Sequence, residues 1–263
     1  MNLELSGKRA LVSGSTAGIG YAIAEALARE GARVVVNGRT EAAVSAARSG
    51  IGRATGSQVD GFAGDLGTAA AADALAASFP DVDILVNNLG IFDPKPFEEI
   101  PDDDWRRFFE VNVLSGVRLS RLYLPRMRQV DWGRIIFISS ESGLQIPAEM
   151  IHYGVTKTAQ IALARGIAET VAGTGITVNT VLPGPTRSRG VGDFVAAMSQ
   201  QAGMTAAEFE ADFFARARPT SLIKRFATPE EVASMVVYLA SPLASATTGT
   251  ALRVDGGVVK SAF

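Results

Sequence analysis

The chain has 263 residues, 47% of them apolar and 20% charged, with a net charge of −2 and no cysteine. That length and apolar content suit one α/β domain spanning residues 1–263, with a substantial core. No basic stripe gives a footprint for nucleic acid, and the lack of cysteine excludes disulfides, thiolate catalysis and Cys-based metal sites.

In chain order, short β-branched runs alternate with alanine-rich stretches, the pattern of βαβ units on a parallel sheet. The first predicted strand, near 8–13, runs into Gly14-Ser15-Thr16-Ala17-Gly18-Ile19-Gly20 and then a helix over 18–30. Strand, glycine turn and helix together form the setting in which such a loop cradles phosphates. Gly14 permits the tight turn, Gly18 lets the backbone approach a pyrophosphate, and Gly20 lets the helix pack close to the sheet. The phosphates then lie against a helix N-terminus, where free N–H groups and the dipole favour negative charge. The spacing here is G-x-x-x-G-x-G, not G-x-G-x-x-G.

Further strands are predicted near 32–37, 57–62, 83–87, 133–139, 175–182 and 250–254, and helices over 40–49, 68–79, 103–128, 151–172 and 229–240. The expected fold is therefore α/β and doubly wound: a seven-stranded parallel, Rossmann-like sheet with helices on both faces. Ligands in such folds bind beyond the carboxyl ends of the strands. Gly14, Arg39, Asp65, Asn88, Ser140 and Pro183 each follow a predicted strand.

The helix over 151–172 carries Tyr153 and Lys157 four residues apart, about one turn, so phenol and ammonium share a face. A tyrosine titrating near ~10 is a poor acid or base at neutral pH. An adjacent cation is expected to favour the phenolate and bring it toward the working range. His152 should face elsewhere, because successive helical side chains turn by ~100°. Between Pro183 and Arg225 the rhythm breaks. Phe209 and Phe213 fall on one helical face there, and Met198, Met204 and Phe214 add apolar bulk. A substrate lid over 186–225 is expected; a helical hairpin packed on the core is the alternative.

SGSTAGIG at 13–20, GDL at 64–66, NNLG at 87–90, Asn112 within EVNV, ISS at 138–140, YGVTK at 153–157 and LPGPT at 182–186 stand in one order over most of the chain. In them the chain resembles the short-chain dehydrogenase/reductase family of the single-domain type. The resemblance implies hydride transfer between a nicotinamide cofactor and a carbonyl or alcohol. Tyr153 would be the acid/base, Ser140 would bond the substrate oxygen, Lys157 would hold the ribose, and Asn112 would hold a water in a proton relay. Ser139 is the lesser candidate because it points to the other side of an extended segment. Cofactor contacts would come from Gly14, Thr16, Ala17, Gly18, Ile19 and Gly20 at the turn and from Asp65 and Leu66 at the adenine. Asn88, Gly90, Tyr153 and Lys157 would line the centre, and Pro183, Gly184 and Thr186 the carboxamide.

NAD-specific relatives carry an acidic residue where this chain has Gly38 and Arg39. A guanidinium there can bind a 2′-phosphate with two charge-assisted bonds, so NADP(H) is favoured and NAD(H) remains possible. Ala17 replaces the basic residue that the family often adds within the turn, and Leu89 replaces an alanine in N-N-A-G. Glu141 lies near enough to the pocket for substrate contact but is read first as an exposed turn carboxylate, and no metal site is expected. Relatives of this type are mostly tetramers, so a homotetramer or homodimer through 103–128 and 151–172 is expected. With no leader-like N-terminus and no long apolar span, a soluble, cytoplasmic protein is expected. The alternatives are a cofactor-binding sensor or scaffold without turnover, and a dehydratase or epimerase.

Overall fold

The computed structural model describes residues 2–188, 192, 199 and 203–262. Seven strands build one sheet: β1 (Arg9–Val12), β2 (Arg33–Gly38), β3 (Val59–Ala63), β4 (Ile84–Asn87), β5 (Gly133–Ile138), β6 (Ile176–Pro183) and β7 (Ala251–Val254). All neighbours pair parallel, in the order β3-β2-β1-β4-β5-β6-β7. The expected doubly wound fold is present. Val12 of β1 pairs with Val36 on one side and Val86 on the other, so the strand order reverses across β1 and β4. A crevice opens at that reversal, where such folds receive ligands.

The described helices are α1 (Gly18–Arg29), α2 (Glu41–Thr55), α3 (Ala69–Ser78), α4 (Asp102–Phe109), α5 (Ser115–Gln129), α6 (Ile151–Thr170), α7 (Ala206–Arg216) and α8 (Pro229–Ala240). Side-chain alternation along the strands divides the core into two layers. Ala10 and Val12 pack with α1, α2 and α8, whereas Leu11 packs on the other face with α3, α5 and α6. No described helix is long and apolar enough to cross a membrane.

Three segments depart from the sequence expectation. Helix α2 runs past 49 to Thr55 despite Gly50 and Gly52, because Ile51 is fully buried, and it stops at Gly56 with φ of 73°. The helix expected over 103–128 is interrupted by a π-helical turn, Glu110–Leu114. One surplus residue there turns Asn112 inward. Within 186–225, α7 is fixed by a capping box in which Thr205 and Glu208 each bond the other's backbone N–H. Phe213, Phe214 and Phe226 pack together beside it, a small satellite core that Phe209 joins. Residues 189–191, 193–198 and 200–202, with Met198, lie outside the described residues.

Candidate active site

The glycine turn after β1 is braced by polar groups from the neighbouring strands. Gly14 (φ 61°) donates its N–H to Asn37 Oδ1 at 3.1 Å, and the Asn37 amide reaches the carbonyl oxygens of Phe62 and Gly64. Asn88 Nδ2 donates to the carbonyl oxygens of Ser13 and Gly14, each at 3.0 Å. Asn88 therefore shapes the turn from the end of β4. Asn37 and Ser13 went unnoticed in the sequence, where a polar residue in a buried strand was the available signal.

This turn fits a dinucleotide. Helix α1 begins at Gly18 with no side-chain cap and no acidic residue in its first turn, which leaves N–H groups for an anion. A Cβ on Gly20 would lie 2.4 Å from Asn88 Nδ2 and 2.5 Å from the Gly14 carbonyl oxygen, so only glycine keeps helix and turn this close. Thr16 touches the end of β2, where a Cβ on Gly38 would lie 2.4 Å from its methyl carbon. Arg39 follows, exposed and, among the described residues, without a hydrogen bond or ion pair. Asp65 is exposed and accepts from the Gly67 N–H, whereas the Leu66 side chain is in the core. Leu89 leans on Gly14 and packs into the core layer on the α5 face.

Beyond the carboxyl end of β5, Ser140 and Tyr153 line a cavity of about 430 Å³ together with Ile19, Pro183, Gly184 and Thr186. The cavity draws these expected residues together from four separate segments. Lys157 is buried one turn along α6, with Nζ 5.5 Å from the Tyr153 ring centroid. Its ammonium donates to the Ile138 carbonyl oxygen at 2.9 Å and to Gln160 Oε1 at 3.1 Å. Gly90 borders it, since a Cβ there would come within 3.3 Å of Nζ. Ser139 also lines the cavity, and its Oγ donates to the Lys157 carbonyl oxygen, tying the end of β5 to α6.

The electrostatics reverse the expected sign for the phenol. Burial pushes Tyr153 well above its usual range, and the Ser140 hydroxyl opposes this only in part. Burial also pushes Lys157 down to about 7. Apolar surroundings disfavour both charged forms, and this outweighs the cation–phenol attraction assumed from spacing alone.

Asn112 is fully buried and fully bonded. Its Oδ1 accepts from the Ile91 N–H, and its Nδ2 donates to the Ile91 carbonyl oxygen and Thr156 Oγ1. Its own carbonyl oxygen accepts from Gln160 Nε2 at 2.6 Å. A continuous chain thus runs from Lys157 through Gln160 to Asn112. Gln160 was legible only as a polar residue at i+3 from Lys157.

Glu141 is not the exposed turn carboxylate that was expected. It is buried; its Oε2 accepts from Ser140 Oγ at 2.5 Å and from the Ser142 N–H, and its Oε1 meets Arg218 Nε at 3.3 Å. Arg218 also pairs with Glu149 at 3.1 Å. His152 packs against Phe108 and Trp105 with neither ring nitrogen bonded, and burial lowers its pKa. No group of three or more His, Asp or Glu among the described residues could hold a metal ion.

A family model described as enoyl-(acyl carrier protein) reductase matches residues 14–259. The chain is 49% identical to the uncharacterized oxidoreductase YvaG of Bacillus subtilis over 100% of both chains. It is 35% identical to D-β-hydroxybutyrate dehydrogenase of Cupriavidus necator, covering 97% of this chain and 99% of that one. The structure of L-sorbose reductase from Gluconobacter frateurii, in complex with NADPH and L-sorbose, superposes with a TM-score of 0.92 at 33% identity, covering 99% of this chain and 100% of that one. Likeness that runs end to end in both sequence and structure leaves one assignment: the chain belongs to the short-chain dehydrogenase/reductase family of oxidoreductases.

Proposed function

We propose that the chain is an NADP(H)-dependent oxidoreductase that interconverts a carbonyl compound and its alcohol, with Tyr153 as the acid and base. The observation that carries this reading is the shared cavity: Ser140 and Tyr153 face the same space as Ile19 of the glycine turn and the Pro183–Thr186 stretch. The nicotinamide, when bound, supplies a hydride to the carbonyl carbon or takes one from the alcohol carbon. Tyr153 gives its proton to the carbonyl oxygen in reduction and receives it back in oxidation. Its upward shift keeps the proton in place at neutral pH but makes the phenol a weaker acid, so the transfer relies on the alkoxide charge that develops on the substrate oxygen. Ser140 donates to the same substrate oxygen once its hydroxyl turns from Glu141, and Lys157 holds the nicotinamide ribose. Asn112 anchors the lysine through Gln160.

NADP(H) is favoured over NAD(H) because Gly38 and Arg39 end β2 where an acidic residue would select NAD, and Arg39 is unpaired among the described residues. The NADPH found with L-sorbose reductase agrees with that choice. The chain acts as one cofactor-binding and catalytic unit, with 186–225 covering the substrate; Phe209, Phe213 and Arg218 from this segment line the cavity. Assembly as a homotetramer or homodimer through α5 and α6, and a cytoplasmic location, belong to the same reading. Sedimentation tests the assembly.

The decisive experiment follows NADPH and NADH absorbance over a panel of ketones, aldehydes and alcohols. Tyr153→Phe is expected to keep NADPH affinity and lose about 10²–10⁴-fold in turnover. An unchanged rate rejects the role of Tyr153, and an equal or larger kcat/KM with NADH rejects the NADP preference.

A further inference from the structure

The named substrates of two relatives differ in charge: hydroxybutyrate carries a carboxylate and L-sorbose does not. The cavity of this chain has features that separate the two classes. We propose that it selects a neutral carbonyl compound, or its alcohol, bearing an aryl-sized apolar group, and that it rejects substrates with a carboxylate or phosphate near the reacting carbon. The inference rests on the oxidoreductase reading above and specifies its substrate class.

The charge argument begins at Ser140. Its hydroxyl donates to Glu141, whose carboxylate is buried beside the place where a substrate oxygen would sit. Arg218 is the one cation among the described lining residues. It is already claimed twice, by Glu141 at 3.3 Å and by Glu149 at 3.1 Å, and the ring of Phe213 lies 5.9 Å from its guanidinium carbon. Among the described residues, two carboxylates against one guanidinium leave this end of the cavity net negative. An anionic substrate would meet like charge and would have to displace a formed ion pair to find a partner.

The opposite requirement comes from the walls. Phe92 is 51% exposed and stands edge-on to Tyr153, with ring centroids 6.4 Å apart. Phe213 and Phe226 stack at 5.1 Å and, with Phe209, line the same cavity. Aromatic faces near the reacting position reward an apolar, flat group, and the Ser142 and Thr186 hydroxyls in the same lining already donate to Glu141 and to the Gly184 carbonyl oxygen. A ketose therefore fits less well than an aryl ketone.

Matched pairs test the proposal. Ethyl acetoacetate against acetoacetate, and methyl benzoylformate against benzoylformate, differ only in esterification; L-sorbose is the polar neutral probe. With NADPH, the neutral member of each pair should have the larger kcat/KM by about a hundredfold, the scale of like-charge repulsion in a partly desolvated site. The aryl ester should exceed L-sorbose. Thermal shifts of the NADP⁺-loaded protein, which cannot reduce a ketone, should follow the same order. Glu149→Gln releases one claim on Arg218, so the ester-to-acid ratio should fall about tenfold. An equal or better kcat/KM for the carboxylates, or for L-sorbose over the aryl ester, overturns this inference and leaves the oxidoreductase reading standing. No turnover of any carbonyl, with Tyr153→Phe indistinguishable from the parent, removes that reading and this inference with it.

Discussion

Lys157 buries its ammonium against a backbone carbonyl and a side-chain amide, with no carboxylate partner among the described residues, and burial takes its pKa from 10.5 to about 7. Between those values the unfolded chain holds a proton that the folded chain has released, and stability rises with pH across that window. Lys157→Met removes the difference. Urea denaturation at pH 7 and 9.5 should show the parent gaining stability with pH and the variant changing little over the same interval. A parent that loses stability over that range would contradict the buried, unpaired lysine. Single residues were readable from sequence when neighbours along one helix defined them, as with Tyr153 and Lys157. Glu141 was misread because its partner Arg218 is 77 positions away, and no local pattern connects a turn carboxylate to an arginine that far along the chain.

At the scale of elements, boundaries were legible where the chemistry of the ends is local. Helix α8 was predicted to the residue because Thr228, Pro229 and Glu231 mark its start, with the threonine and glutamate forming a capping box. Helix α2 was cut short because two glycines weigh against a helix locally, whereas burial of Ile51 acts only in the folded chain. The π-helical turn had no sequence mark at all; it follows from bonds that Asn112 makes to Ile91 and Thr156. The contact between the glycine turn and α1 is the most demanding fit in the site. Gly20→Ala places a methyl against the Gly14 carbonyl oxygen and the Asn88 amide, and should cost about 1–3 kcal/mol. Denaturation should register that loss, and titration with NADPH should show weaker binding than the parent. Full affinity in the variant would mean that the turn tolerates the shift.

For the molecule as a whole, the architecture was legible because a parallel sheet buried on both faces needs near-continuous apolar strands. The candidate cavity was much less accessible, since its walls come from residues as far apart as Ile19, Phe92, Tyr153 and Phe226. All of these lie toward the carboxyl edge of the sheet. The opposite edge carries the returns from helix to strand, among them the short one between α6 and β6, where Gly173 has φ of 78° and open space around it. The chain can therefore be engineered from that side. A flexible peptide spliced in at Gly173, or new termini opened there after joining the old ones, should leave catalysis within about twofold, because loop closure grows only slowly with length. The same splice between Ser142 and Pro147, under the Tyr153 helix, should abolish it, so one pair of grafts and an activity assay would map which rim of the sheet the enzyme can spare.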